Sequence, residues 1–402
     1  MHFIATRGKY IVFTGKRSIY VLQTRRAAVP RLFVISTLAV QPRIKASKVQ
    51  RGSIDNVDIS RNSKFICATD TDKHVYVYER IGDFRWDFQY FFEMEKRCIK
   101  LIFDSRCTSI IFADKCGDVW RSYMTTKTVK SPAKLLSHCS IILDTTITND
   151  NRKLFLCDSD NKVMGASFPE TFSFDDYFVG HKSPVVGIAL IEQDSILLSV
   201  EAEGKLKLWS SSDSKQCIDT YDIFTACHGP ARHLYKEGKV CSTKVTEALD
   251  RIWIVAKIYG SKEMPVLKLR YLTREMCKVS QVQTDSEFCD MMWNHESLYV
   301  YSPESTCAIK KFDVTEHGLV SDSQFNVPKI ASYKADLEAF VKFNKSTYIA
   351  SLQRLSSTDL LTSDNDSCNQ EKSLHDLSIE FADEEEVTTY EEAEEEGTSA
   401  PD

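Results

Sequence analysis

Four stretches of this chain are versions of one phrase. His74-Val75-Tyr76-Val77-Tyr78, Gly117-Asp118-Val119-Trp120, Asn161-Lys162-Val163-Met164 and Gly204-Lys205-Leu206-Lys207-Leu208-Trp209 each run from a polar turn into an alternating strand. Val75, Val119, Val163 and Leu206 mark the phase, forty-four, forty-four and forty-three residues apart. A fixed period of roughly 40–45 residues with several strands per unit is the signature of β-propeller blades. One such unit cannot bury its own apolar faces, so it must stack on its neighbours. That requirement constrains the fold more than any other feature here. It also suggests a rigid docking platform before it suggests a catalyst.

The chain has 402 residues, 43% of them hydrophobic, enough for a large core. Length alone argues for two or three domains, but stacked blades make one. No run of about 18 uncharged apolar residues occurs, so no membrane-spanning segment is expected. The apolar patch at Met1-His2-Phe3-Ile4-Ala5 is far shorter than a signal peptide needs. A soluble, intracellular protein is expected. The 13 cysteines are scattered, with no Cys-x-x-Cys. Zinc and redox centres need close-spaced thiolates. Most of these cysteines lie instead in strand-like runs such as Phe65-Ile66-Cys67-Ala68 and Leu154-Phe155-Leu156-Cys157, where reduced cysteine acts as a small hydrophobe in a reducing compartment.

The formal charge of −6 hides two opposite ends. From Glu380 onward there are eleven acidic residues and no Lys or Arg, which leaves the rest of the chain at about +5. Before Asp55 there is no acidic residue, against eleven Lys and Arg between Arg7 and Arg51. Such one-sided basic charge fits a polyanion partner, or a solvated face that serves solubility.

Strand patterns place the first blade at about 3–22, followed by a basic loop at 23–52. The second and third blades read from Ile54 to Tyr78 and from Cys98 to Tyr123. Polar clusters such as Ser60-Arg61-Asn62-Ser63 supply the turns. After Thr220 the repeats fade, yet alternating runs at 251–256, 265–271 and 296–301 leave room for two more blades by about Ser351. The expected architecture is an all-β, seven-bladed WD40-type propeller over 1–355, with a C-terminal stretch pairing with the first strand to close the ring. The acidic segment 356–402 cannot bury enough apolar area to fold alone and is expected to be disordered.

Ser137-His138 and Gly180-His181, forty-three residues apart, fall just before the innermost strands of the fourth and fifth blades. In WD repeats this His joins a hydrogen-bonded set with Ser/Thr, Asp and Trp. Asp144 is expected to partner His138, and Trp209 ends the relevant strand of the fifth blade, while Gly187 to Leu190 offers His181 no Asp. His138, Asp144, His181 and Trp209 are therefore read as structural residues. No Gly-rich phosphate loop, dinucleotide fingerprint, His-Glu-x-x-His or Gly-x-Ser-x-Gly elbow occurs. Asp175-Asp176, between aromatic residues, is read as solvated charge in an inter-strand loop. Neither a catalytic set nor a cofactor is expected.

Four blocks then carry a family resemblance. They are Lys96-Arg97-Cys98, Ala113-Asp114-Lys115-Cys116-Gly117-Asp118-Val119, Leu136-Ser137-His138-Cys139-Ser140-Ile141-Ile142-Leu143-Asp144 and Asp158-Ser159-Asp160-Asn161-Lys162-Val163. In succession they resemble the WD-repeat non-catalytic subunit of tRNA (guanine-N7) methyltransferase, across about Arg97 to Trp209. The resemblance implies a heterodimer in which the propeller holds an S-adenosylmethionine-dependent subunit by its side. That partner methylates a guanosine N7 in the tRNA variable loop, and the complex is expected in the nucleus. It puts Asp160, Asn161, Lys162 and Met164 at the partner interface, and Lys96, Arg97 and Lys115 near the RNA. Ser159 and Met164 replace basic residues of the family pattern, so the charge pairing is weaker or is rebuilt by Arg152 and Lys153. A different class also fits a propeller: an adaptor such as a ubiquitin-ligase substrate receptor, with no RNA.

Overall fold

The computed structural model describes residues 2–24, 31–36, 52–82, 85–124, 132–171, 173–227, 239–270, 275–287, 289–305, 307–323 and 325. The chain divides into two compact units, Met1–Thr358 and Asp359–Asp402, and every described residue belongs to the first. The acidic segment 356–402 lies outside the described residues, as does most of the basic stretch 23–52.

The described part is a propeller of seven four-stranded antiparallel sheets, each built from four consecutive strands. The blades span 4–36, 54–93, 98–136, 142–178, 185–222, 240–283 and 290–321. The first strands of successive blades contact one another around the ring and so line its centre. Side-chain alternation explains the stacking. In the strand Lys153–Asp158, Leu154 and Leu156 pack toward the third blade, while Phe155 and Cys157 pack toward the fifth. Every blade does this, so seven buried apolar clusters form, one at each blade–blade junction. Cys67, Cys98, Cys157, Cys241 and Cys289 are buried in these strands or beside them. Burial pushes the Cys241 thiol up to about 12, which makes it an inert hydrophobe at neutral pH.

Several expectations change here. Arg31–Ser36, read as part of a loop, is the fourth strand of the first blade. Asp176–Phe178 is the fourth strand of the fourth blade rather than a loop, and Asp176 accepts a 2.7 Å ion pair from Lys153. The seventh blade ends at Ser321, about thirty residues earlier than the spacing suggested. The first sheet holds four described strands beginning at Ile4–Arg7, and the C-terminal stretch expected to pair with it lies outside the described residues. Among the described residues the first and seventh blades meet through side chains. Asp290 Oδ2 accepts from Phe3 N at 2.7 Å and Ile4 N at 3.3 Å, and Tyr301 donates to Thr14 O at 2.7 Å. Thr6 Oγ1 donates to Trp293 O at 2.9 Å.

Candidate functional site

The turn between the second and third strands repeats from blade to blade with one carboxylate at its heart. Asp70 Oδ1 accepts from Asp72 N and His74 N, both at 2.9 Å. Asp114 Oδ1 accepts from Cys116 N at 2.8 Å and Asp118 N at 3.1 Å. Asp158 Oδ1 accepts from Asp160 N at 2.9 Å and Lys162 N at 2.8 Å. The fourth turn residue has positive φ each time: Lys73, Gly117, Asn161 and Gly204 at 70°, 88°, 68° and 83°. Glycine is required at 117 for a second reason, since a Cβ there would lie 2.4 Å from Ser140 O.

The other carboxylate oxygen ties each turn inward. Asp114 Oδ2 accepts from Trp120 Nε1 at 2.9 Å, and Asp70 Oδ2 from Tyr76 OH at 2.9 Å. Asp158 Oδ2 meets His138 Nε2 at 2.8 Å. His138 therefore does not pair with Asp144, as the sequence suggested. The acid it needs lies twenty residues on, at the end of the second strand. His181 finds its acid in the same place: Glu201 Oε2 at 2.9 Å, with Ser199 Oγ at 2.6 Å on the other ring nitrogen. Trp209 Nε1 donates to Ser199 Oγ at 2.8 Å, which completes the set in the fifth blade. Burial works to raise the Glu201 carboxyl, but the hydrogen bonds from His181 and Lys182 N hold it below its ordinary range.

Asp144 belongs to the centre of the ring. Its Oδ1 takes a 2.5 Å ion pair from Lys100, and its Oδ2 accepts from Ile188 N of the next blade at 3.3 Å. Burial opposes the charge, yet Lys100, with Lys244, holds the carboxyl below the usual range. Lys100 also meets His2 Nε2 at 2.7 Å, and Lys244 approaches His2 Nδ1 at 3.4 Å.

The expected RNA-facing residues come together where the second and third blades meet. Lys115 N donates to Arg97 O at 3.0 Å, so the turn of one strand pair is clipped to the entry of its own first strand. Lys115 is exposed, while Lys96 is half-buried. Arg97 is committed inward: its Nε donates to the fully buried Asp55 Oδ2 at 2.8 Å, and the side chain keeps 23% exposure. Asp55 also accepts from Thr69 Oγ1 at 2.8 Å. Burial pushes the Asp55 carboxyl up, and the Arg97 charge pulls against that rise.

Of the expected interface residues, Asp160, Asn161 and Lys162 ride on the Asp158 turn, half-buried, with Lys162 Nζ 3.8 Å from Asp160 Oδ2. Met164 does not join them. It is fully buried in the cluster between the third and fourth blades, so its side chain cannot reach a partner. Arg152 and Lys153 cannot rebuild charge at this turn either. They sit at the opposite end of a six-residue strand, roughly 17 Å away. Two residues passed over in the sequence flank the turn: Tyr177, paired with Met164, and Val179, 50% and 78% exposed. Their signal was the alternation Asp176-Tyr177-Phe178-Val179, in which Phe178 alone is buried. Among the described residues no group of three or more His, Cys, Asp or Glu is placed to hold a metal ion.

No family model matches the chain. Among curated proteins, the tRNA (guanine-N(7)-)-methyltransferase non-catalytic subunit wuho of Drosophila ananassae is 31% identical over 104 residues, 26% of this chain and 25% of that protein. Its counterpart in Drosophila grimshawi is 35% identical over 96 residues, 24% of each chain. The match thus spans about a quarter of the length of these relatives. Among solved structures, a chain of a mitotic checkpoint complex aligns with a TM-score of 0.62 at 11% identity, over 79% of this chain and 91% of that one. Sqt1 of Saccharomyces cerevisiae aligns at 0.56, also at 11% identity, over 79% and 83%. At that identity the likeness concerns the fold alone. The chain is a seven-bladed propeller of the WD type that resembles, over a quarter of its length, the non-catalytic subunit of tRNA (guanine-N7) methyltransferase.

Proposed function

We propose that this propeller is a non-catalytic subunit that holds a methyltransferase for N7-methylguanosine formation in the tRNA variable loop, and that it adds to the grip on tRNA. One observation carries the reading. The Asp158 turn, inside the stretch that resembles the methyltransferase subunits, presents Asp160, Asn161 and Lys162 on a framework fixed by two backbone hydrogen bonds. A rigid charged turn beside exposed Tyr177 and Val179 has the polar and apolar parts a protein interface needs. The partner supplies the chemistry and its cofactor; the propeller supplies position. Lys115 and Lys96 meet phosphate as point charges, which adds affinity without reading sequence. Arg97 steadies that edge more than it touches RNA. The same reading puts the complex in the nucleus.

Affinity purification of the tagged chain with mass spectrometry tests the reading. A methyltransferase and tRNA are expected, and Lys162→Glu is expected to lose the methyltransferase. Recovery of cullin-type machinery instead would favour the adaptor. For RNA, Lys96→Gln with Lys115→Gln should lower tRNA affinity and flatten its salt dependence by about one unit of slope for each phosphate no longer neutralised. An unchanged slope would remove both lysines from the RNA surface.

A further inference from the structure

The turns between first and second strands lie at the other end of the blades, and they form a belt. Asn294 Nδ2 donates to Gly8 O at 2.7 Å, Ser63 Oγ to Arg7 O at 3.4 Å, and Ser105 N to Asn151 Oδ1 at 2.8 Å. Arg61 reaches past the third blade to Asn149 Oδ1 of the fourth. Thr246 Oγ1 joins the sixth blade to the seventh by donating to His295 O at 3.1 Å. Blade-to-blade bonds of this kind fix the turns relative to one another.

Charge on this belt is one-sided. The first four blades place Arg7, Arg61, Arg106 and Arg152 on it, all exposed, against Asp150, which pairs with Arg152 at 3.7 Å, whereas the fifth and sixth place Glu192, Asp194, Glu247 and Asp250 there, against Arg251. Inside the basic arc a cavity of about 250 Å³ opens into the central channel, with His2, Arg7, Asp58, Arg61, Lys100 and Asp104 among its walls.

The donors and acceptors of that cavity are not in balance. Asp104 spends its oxygens on Thr108, Ser109 and Asn151, at 2.6 to 3.2 Å. Asp58 spends its own on Ile59 N at 2.8 Å and Phe103 N at 3.3 Å. The Arg7 guanidinium makes no hydrogen bond or ion pair among the described residues, and Arg61 meets only a neutral amide. Guanidinium donors with no carboxylate hydrogen bond therefore face a cavity in which Asp58, raised by burial against the pull of the Arg7 and Lys100 charges, and Asp104 have their oxygens hydrogen-bonded elsewhere.

We propose that the channel mouth between Arg7, Arg61 and Lys100 is a binding site for a small phosphate-bearing anion. Guanidinium groups from two blades line it, and beneath them the Lys100 ammonium, with two of its three N–H groups taken by Asp144 and His2, keeps one donor. That suits a tetrahedral phosphate, whereas a planar carboxylate engages one fork only. The volume lies just below the roughly 300–1,000 Å³ of drug-sized sites, room for one or two phosphate groups and too little for a duplex. The site does not rest on the methyltransferase reading, since Lys115 and Lys162 lie at the opposite ends of the strands.

The test uses the full chain and inorganic pyrophosphate, followed by calorimetric titration and by thermal unfolding. Pyrophosphate is expected to bind and to raise the unfolding temperature, as a ligand of the native state must. Arg7→Gln and Arg61→Gln should each weaken binding about tenfold. Arg7→Lys, which keeps the charge and loses the fork, should fall between Arg7→Gln and the parent. Both arginines are exposed, so circular dichroism of the free variants should match the parent. Equal binding by parent and double variant would overturn the site, as would an equal temperature rise from sodium chloride at matched ionic strength. An RNA oligonucleotide bound through the same arginines, with no response to pyrophosphate, would reassign the face to nucleic acid.

Discussion

Arg97 shows why a basic residue cannot be assigned to a partner from its type alone. Its guanidinium neutralises Asp55, which is 0% exposed and has Thr69 and Asn56 as further donors. Removing one member of a buried pair strands the other charge, at a cost of about 3 kcal/mol or more. Arg97→Met should therefore lower stability by that order, and Asp55→Asn added to it should restore part of the loss. A urea midpoint unmoved by Arg97→Met would refute the pairing. His74 gives a pH signature. The hydrogen bond its imidazole donates to the Asp70 carboxylate raises its pKa above the ordinary 6.5, against desolvation. Its stabilising share is complete below pH 6.5 and is lost as pH climbs through the raised value. Between pH 6 and 8.5 the parent should thus lose more stability than His74→Asn does; equal losses would rule this out. Neither pairing was legible from sequence. Arg97 and Asp55 are forty-two residues apart, and only the stacking of the second blade on the third brings them together.

The strand-turn-strand unit was the most legible part of the chain, because alternation and polar turns are local. The second and third strands of the middle blades fall where their sequence pattern puts them. Outer strands were harder. Asp176–Phe178 is three residues long and half solvated, and Arg31–Ser36 sits amid basic residues, so neither shows a clean period of two. The polar set was misread for a related reason. Asp144 lies six residues from His138 in sequence, but the turn acid that meets the His comes after another whole strand. That turn acid yields a prediction. Asp158→Ala deletes the acceptor for Asp160 N, Lys162 N and His138 together, groups worth about 1 kcal/mol each. Stability should fall by about 2–4 kcal/mol, and amide exchange at Asp160 and Lys162 should quicken. Partner capture should weaken as well, although no interface residue has changed. Unaltered exchange at both amides would mean that the turn holds its shape without the carboxylate.

The junction of the first and seventh blades is where the ends of the ring meet. Among the described residues each blade has its own four strands, and the bonds across this junction come from side chains. Phe3, Phe13, Tyr20 and Tyr301 pack in the cluster between the seventh blade and the first, with the Tyr301 ring centroid 5.4 Å from that of Phe13 and tilted 44° to it. Asp290 is the polar part of that seam. It recurs in kind: Asp58 and Asp144 likewise accept from the next blade's first strand, through Phe103 N and Ile188 N. At those junctions the chain itself joins the blades, so a missing acceptor weakens an interface that cannot diffuse apart. At the seam the two partners are 286 and 287 residues distant, and among the described residues non-covalent bonds alone resist opening. Asp290→Ala leaves two amide donors buried without an acceptor, at about 1–3 kcal/mol each. Asp144→Ala removes one such acceptor and also frees Lys100, so its thermodynamic cost is of similar size. The difference lies in which region opens. Native-state hydrogen exchange should show Asp290→Ala exposing Phe3, Ile4 and the strand Asp290–Asn294 below the global unfolding energy, with the middle blades still protected. Asp144→Ala should raise exchange across the ring together. If Asp290→Ala also loosens all seven blades at once, the seam is no weaker than the other junctions, and the ring is held by its apolar clusters alone.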